Sequence, residues 1–116
     1  MSKKYNKTLG QRGENIARTY YQKLGWKLIK QNYWTPQGEL DLVLEKNKEI
    51  LVVEVKTRSN RRFGWGEETI NQQKINNILK AYQILQRHSD LSGYFSLEIC
   101  VVEIGKKITI RSFALD

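Results

Sequence analysis

The sequence holds one cysteine, one histidine and one proline among its 116 residues. Each shortage removes a class of function. A lone Cys100 cannot close an internal disulfide or supply a thiolate zinc cluster, and a lone His88 cannot build a histidine zinc centre. Ser59, Ser89, Ser92 and Ser96 lack a supporting base, which excludes a serine-hydrolase triad. No apolar run approaches the ~20 residues of a membrane-spanning helix, and the charged opening residues do not read as a signal peptide. The expectation is a soluble protein of the reducing cytoplasm with no membrane partner. Without repeats, low-complexity tracts or linkers, residues 1–116 read as a single domain, with residues 1–7 as a flexible basic arm. Cys100 lies in an apolar run and reads as a buried thiol acting as a small hydrophobe. His88 falls near a helix end, where it suits the negative pole of the helix.

Acids are also scarce: 12 against 20 basic residues, for a net charge of +8. Eight of the basic residues fall within the first thirty positions, where Glu14 is the single acid. Lys56, Arg58, Arg61 and Arg62 form a second basic cluster. Such a surface attracts polyanions by releasing counterions from phosphate backbones. A solvated surface, or one attracted to acidic lipid, explains the charge equally well on composition alone.

Hydrophobic spacing divides the chain into elements. Leu9, Ile16, Ala17, Tyr20 and Leu24 predict a first helix over 9–24, stopped by Gly25. Residues 26–31 read as a short strand and 35–38, Thr-Pro-Gln-Gly, as a turn. Strands are predicted over 39–45 and 50–56, with a hairpin between them. Residues 58–66 read as a loop. A second helix is predicted over 71–87 with Asn71 as its N-cap, and Ile70, Ile75, Ile78, Leu79, Tyr82 and Leu85 as its apolar stripe. Strands over 94–104 and 107–113 complete an order α-β-β-β-α-β-β. The fold class is α/β (α+β), a mixed central sheet flanked by helices.

The central hairpin carries the chemistry. Alternation sets Leu40, Leu42 and Leu44 on one face of its first strand and Glu39, Asp41 and Val43 on the other. On the second strand Val52, Glu54 and Lys56 share a face. A two-residue loop at Asn47-Lys48 would set Asp41 opposite Glu54 and Glu39 opposite Lys56, and a slip by one residue would turn the leucines from the core. Opposed side chains have Cβ atoms about 5 Å apart, where like charges destabilise. A hard divalent cation offsets that repulsion, taking carboxylate oxygens at roughly 2.1 Å in the case of Mg²⁺. Lys56, roughly 7 Å along the strand from Glu54, can hold a water or a scissile phosphate. Carboxylates, a metal and an ammonium group are the parts that phosphodiester hydrolysis needs. A solvated, paired sheet face is the plain alternative. Against it stands the placement of Glu54 amid Leu51, Val52, Val53 and Val55, where an unpaired acid would be costly to bury.

Gly38-Glu39-Leu40-Asp41-Leu42-Val43, followed by Val52-Val53-Glu54-Val55-Lys56-Thr57-Arg58, resembles the GEIDL…VEVKTR hallmark of the YraN-like family. Those small bacterial proteins are predicted endonucleases of the PD-(D/E)xK superfamily. Gly10, Gly13-Glu14, Ala17, Gly25, Asn32, Phe63-Gly64, Lys74 and Ala81 extend the resemblance over roughly residues 9–104. It departs at Ser96-Leu97-Glu98-Ile99, where the family reads close to RFDVV. The resemblance implies a restriction-endonuclease-like αβββαβ core, with Asp41 and Glu54 as ligands of Mg²⁺ or Mn²⁺ and Lys56 as the catalytic lysine. Glu14 matches a helix glutamate that joins the metal site in resolvase-type relatives; an i,i+4 pair with Arg18 is the alternative. Glu39 could equally pair with Lys56 or Arg58. Arg12, Arg58, Arg61, Arg62 and Lys74 are candidate nucleic-acid contacts, although an exposed position is the commoner fate of a helix lysine. Trp34 and Trp65 sit in turns with basic neighbours and could stack on unpaired bases, while Trp26 is expected in the core. The function implied is a metal-dependent endonuclease acting on DNA, including branched, damaged or single-stranded forms. A noncatalytic nucleic-acid-binding module and a protein scaffold are the alternatives. A homodimer would place two sites for two strands.

Overall fold

The structure is a computed structural model that describes residues 2–59 and 70–115. Seven elements follow one another: α1 (Ser2–Lys23), β1 (Lys27–Thr35), β2 (Gly38–Lys46), β3 (Glu49–Arg58), α2 (Gln72–Arg87), β4 (Tyr94–Ile104) and β5 (Ile108–Leu115). The strands form one mixed sheet in the order β1-β2-β3-β4-β5. Among the described strands only β3 and β4 run parallel, because α2 lies between them in the chain. This is the mixed α+β arrangement expected from the sequence, and it is consistent with a restriction-endonuclease-like core. Among the described residues no helix is long and apolar enough to cross a membrane.

The sheet separates two hydrophobic clusters. Ile78, Ala81, Tyr82 and Leu85 of α2 pack on Leu40, Val43, Ile50, Val52 and Leu97. Ala17 and Tyr21 of α1 pack on Leu42, Leu44, Leu51, Val53, Cys100 and Val102 across the other face. Strand β3, between β2 and β4, buries Leu51, Val52 and Val53 almost completely, as its run of β-branched residues requires. The Cys100 thiol is fully buried and free; burial pushes its proton affinity up, to about 11, so it stays a thiol.

Local chemistry sets the element ends. Asn47 and Lys48 both adopt positive φ, 49° and 63°, which closes the β2–β3 hairpin in the primed turn geometry matched to strand twist. Gly25, at φ 99°, ends α1, and the N–H of Trp26 donates back to the carbonyl of Tyr21. Asn71 caps α2 by accepting from the N–H of Lys74 at 2.8 Å. Thr35 Oγ1 accepts from the N–H groups of Gln37 and Gly38 and ties the β1–β2 turn.

Several expectations are corrected. Helix α1 spans Ser2–Lys23, where the spacing predicts a start at Leu9. In its buried stripe Tyr21 takes the place expected of Leu24, which is half exposed. Strand β1 extends to Thr35 rather than stopping at residue 31, and Arg58 belongs to β3 rather than to a loop. On α2 Leu79 is 38% exposed, while Ala81, absent from the expected stripe, is fully buried. Trp26 is only partly buried, under the ammonium of Lys46. The leucines of β2 do not share a face: Leu40 lies in the α2 cluster, Leu42 and Leu44 in the α1 cluster. The cause is a break in the ladder at Asp41. Pairing of β2 with β3 runs only from Lys46 to Leu42, whereas pairing with β1 continues to Gly38. Opposite this break, Asn32 of β1 adopts φ 56°. Strict alternation fails where a strand loses one neighbour and turns.

Candidate functional site

The site begins with a close approach of α1 to β3. Gly13 is buried, and a Cβ there would overlap Thr57 Oγ1 and come within 2.8 Å of Thr57 Cβ. Only glycine lets the helix axis sit this near the strand. The next residue, Glu14, is thereby delivered to the edge of the sheet where β2 and β3 separate. With Gly10, Gln11, Asn32 and Glu39 it lines a shallow crevice.

Asp41 stands at the separation itself. Its Oδ2 accepts the N–H of Val55 at 2.9 Å, so the carboxylate takes over the ladder just where the backbone pairing ends. Direct backbone opposition of Asp41 and Glu54 is therefore replaced by a side-chain bond to the residue after Glu54. The register otherwise follows the expectation, with Leu42 on Val53 and Leu44 on Leu51. Burial pushes the Asp41 carboxyl up, to about 8, and the charge of Glu54 adds to the shift; Glu14 and Glu39 contribute in the same direction, and the Val55 N–H opposes them. Glu14 is raised for the same first reason, burial, with the Asn32 side chain lowering it and Glu39 and Glu54 raising it. In a chain of net charge +8, four carboxylates from α1, β2 and β3 thus share one neighbourhood.

A cation borders this group. Lys74, on the first turn of α2, places its Nζ 3.3 Å from Glu54 Oε2. Lys56 is partly buried and lies two residues beyond Glu54 on β3. All the acidic donors are hard carboxylate oxygens, which suit Mg²⁺ or Mn²⁺ and not a thiophilic ion. Among the described residues no group of three or more Asp, Glu, His or Cys side chains is placed to hold a metal ion. Asp41, Glu54 and the neighbouring Glu14 supply carboxylate oxygens of the kind such ions take.

Residues 13–104 match the uncharacterised protein family UPF0102. The chain belongs to this family. It is similar to UPF0102 proteins of Syntrophomonas wolfei, 49% identical over 66% of this chain and 66% of that one, and of Alkaliphilus metalliredigens, 35% identical over 91% and 94% respectively. A UPF0102 protein of Vibrio parahaemolyticus is 35% identical over 86% of this chain and 85% of its own length. The YraN-like family resemblance seen in the motif is therefore membership of UPF0102. The UPF0102 match starts at Gly13 and ends with β4, so it spans Glu14, Asn32, Asp41, Glu54, Lys56 and Lys74 and leaves out β5.

The remaining candidates scatter. Glu14 is not paired with Arg18, whose guanidinium donates instead to Gln31 Oε1 at 3.0 Å. Arg12 lines a different groove, between α1 and β5, with Asn15, Tyr20, Lys23 and Ile110. Trp34 is 69% exposed near the β1–β2 turn, paired in register with Glu39. Arg61, Arg62, Phe63, Gly64 and Trp65 lie outside the described residues. Asn32 was legible only as a match to the family pattern; its left-handed backbone and its contact with Glu14 give that match a physical content. The link from Lys74 to Glu54 had a signal in the sequence: position 74 precedes Ile78, Ala81 and Leu85 on the sheet-facing stripe, where a purely structural residue would be apolar.

Proposed function

We propose that this UPF0102 protein is a Mg²⁺- or Mn²⁺-dependent endonuclease that hydrolyses phosphodiester bonds in DNA. One observation carries the reading: the fold holds Asp41 beside Glu54 in partly buried surroundings, at a cost in repulsion that a divalent cation offsets. Asp41 and Glu54 would hold the ion. Bound there, the metal would polarise a phosphoryl oxygen and lower the proton affinity of a water. Lys56 orients the water or the scissile phosphate by charge, and Arg58 at the end of β3 supports the nucleic-acid backbone. Exposed Trp34 offers a stacking surface for an unpaired base, which favours single-stranded or branched DNA.

A cleavage panel of single-stranded, duplex, flap and four-way-junction DNA tests the reading. Wild type is expected to cut at least one form with Mn²⁺, and Glu54→Ala to fold yet lose activity by a factor of about 10³ or more. Equal activity in wild type and Glu54→Ala would end the enzymatic reading. Trp34→Ala is expected to weaken single-strand binding by about tenfold, at the low end of one stacked base, without lowering the melting temperature. One observation favours a second reading. Because Lys74 already neutralises Glu54, a noncatalytic DNA-binding module could keep this fold without metal. Binding to DNA that is indifferent to Mn²⁺ and to Asp41→Ala would support it.

A further inference from the structure

Lys74 sits where a helix disfavours a cation. It lies in the first turn of α2, three residues after the N-cap, and that turn contains no acid to balance it. Its position is fixed from below. Gly38 at the start of β2 packs against Cβ and the carbonyl oxygen of Asn77, both 3.3 Å from where a Cβ would stand. Residue 74, one turn earlier, is thereby held over the sheet beside Glu54. The Glu54 side chain is only 12% exposed, while that of Lys74 is 46% exposed. The acid is fixed and the ammonium is on a flexible stem that reaches solvent, so Lys74 is the partner able to leave.

We propose that Lys74 is an exchangeable counter-ion of the acidic site: it neutralises Glu54 in the metal-free chain, yields that carboxylate to a divalent cation, and then holds a phosphate oxygen of the nucleic acid. The inference rests on the metal-dependent reading of Asp41 and Glu54 and adds a positioning residue from α2. A doubly charged ion at the carboxylate outcompetes a single ammonium at similar distance, and repels it once bound. The released ammonium stands beside the α2 N-terminus, whose partial positive charge also favours an anion. The same residue therefore opposes the metal and favours the phosphate.

These opposite signs make the test. Lys74→Met keeps the length of the stem and removes the charge. Calorimetric titration with Mn²⁺ alone is expected to show about fivefold tighter binding to Lys74→Met than to wild type, with Lys74→Arg close to wild type. Binding of a labelled single-stranded oligonucleotide in Ca²⁺ is expected to weaken several-fold in Lys74→Met, with the salt dependence reduced by about one counterion. Unchanged or weaker Mn²⁺ binding by Lys74→Met, beside Asp41-dependent binding by wild type, overturns the counter-ion role alone. Absence of Asp41-dependent Mn²⁺ binding in both chains overturns the metal reading and this inference together. A lower melting temperature with neither affinity changed assigns the pair a structural role only and also overturns the proposal.

Discussion

A Gly13→Val chain is expected to unfold cooperatively at a temperature about 12–20 °C below wild type, or to fail to fold at growth temperature. The argument is steric. A Cβ at position 13 would overlap Thr57 Oγ1 and approach Thr57 Cβ to 2.8 Å, and these atoms lie close to the backbone of β3 where it is paired with Val102 of β4. Neither partner can swing aside, because the Thr57 side chain is short and β-branched. Helix α1 must then lift from the sheet, exposing part of the cluster around Ala17, Tyr21, Leu42 and Val53. Overpacking this close costs about 3 kcal/mol, the upper end of the usual range and a large part of the stability of a small domain. Circular dichroism during thermal unfolding measures it. Gly13→Ala should lose less, and Thr57→Ala should recover part of that loss, because it removes Oγ1 and Cγ2. If Gly13→Val melts within a few degrees of wild type, the close packing of α1 on β3 is wrong, and with it the placement of Glu14.

That contact shows which parts of the molecule a sequence states openly. The β2–β3 hairpin is written locally: Asn47-Lys48 fixes the turn, and pairing of Leu42 with Val53 and of Leu44 with Leu51 follows from it. The start of α2 is equally local, since Asn71 needs only the N–H of Lys74. The approach of Asp41 and Glu54 follows from that register, and their mutual repulsion appears in the folded chain. The manner of the approach does not follow, because alternation assumes a continuous ladder. The left-handed Asn32 and the Asp41–Val55 bond depend on three strands and break that assumption together. The buried choice between Tyr21 and Leu24 on α1 was open for a related reason. Tyr21 donates its hydroxyl to Glu98 Oε1 of β4 at 2.7 Å, a partner 77 residues away that helical spacing cannot register. Lys74 is exposed, as a helix lysine commonly is, but its ion pair with Glu54 joins α2 to β3, a contact that helical spacing alone does not name.

In metal-free buffer, Asp41→Asn is expected to be more stable than wild type near pH 8 by about 2 kcal/mol, and to match it near pH 4. The sign follows from the Asp41 proton. Its affinity rises on folding, from the ordinary 3.8 of an aspartic acid to about 8, so between those values the folded chain holds a proton that the unfolded chain has released. A raised carboxyl contributes stability below the unfolded value and loses it as pH climbs through the folded one. Asparagine cannot ionise and escapes that loss, while its amide oxygen can still accept from the Val55 N–H. The difference between the two pH profiles reports Asp41 together with the acids coupled to it, because groups whose titration the substitution leaves unchanged cancel. Mn²⁺ should invert the order. An ion bound at Asp41 and Glu54 favours the ionised acid, so wild type should gain stability with metal as pH rises and Asp41→Asn should gain little. Parallel pH profiles for the two chains would mean that the acids are relaxed and solvated. Their assembly would then carry no stored repulsion for a cation to relieve.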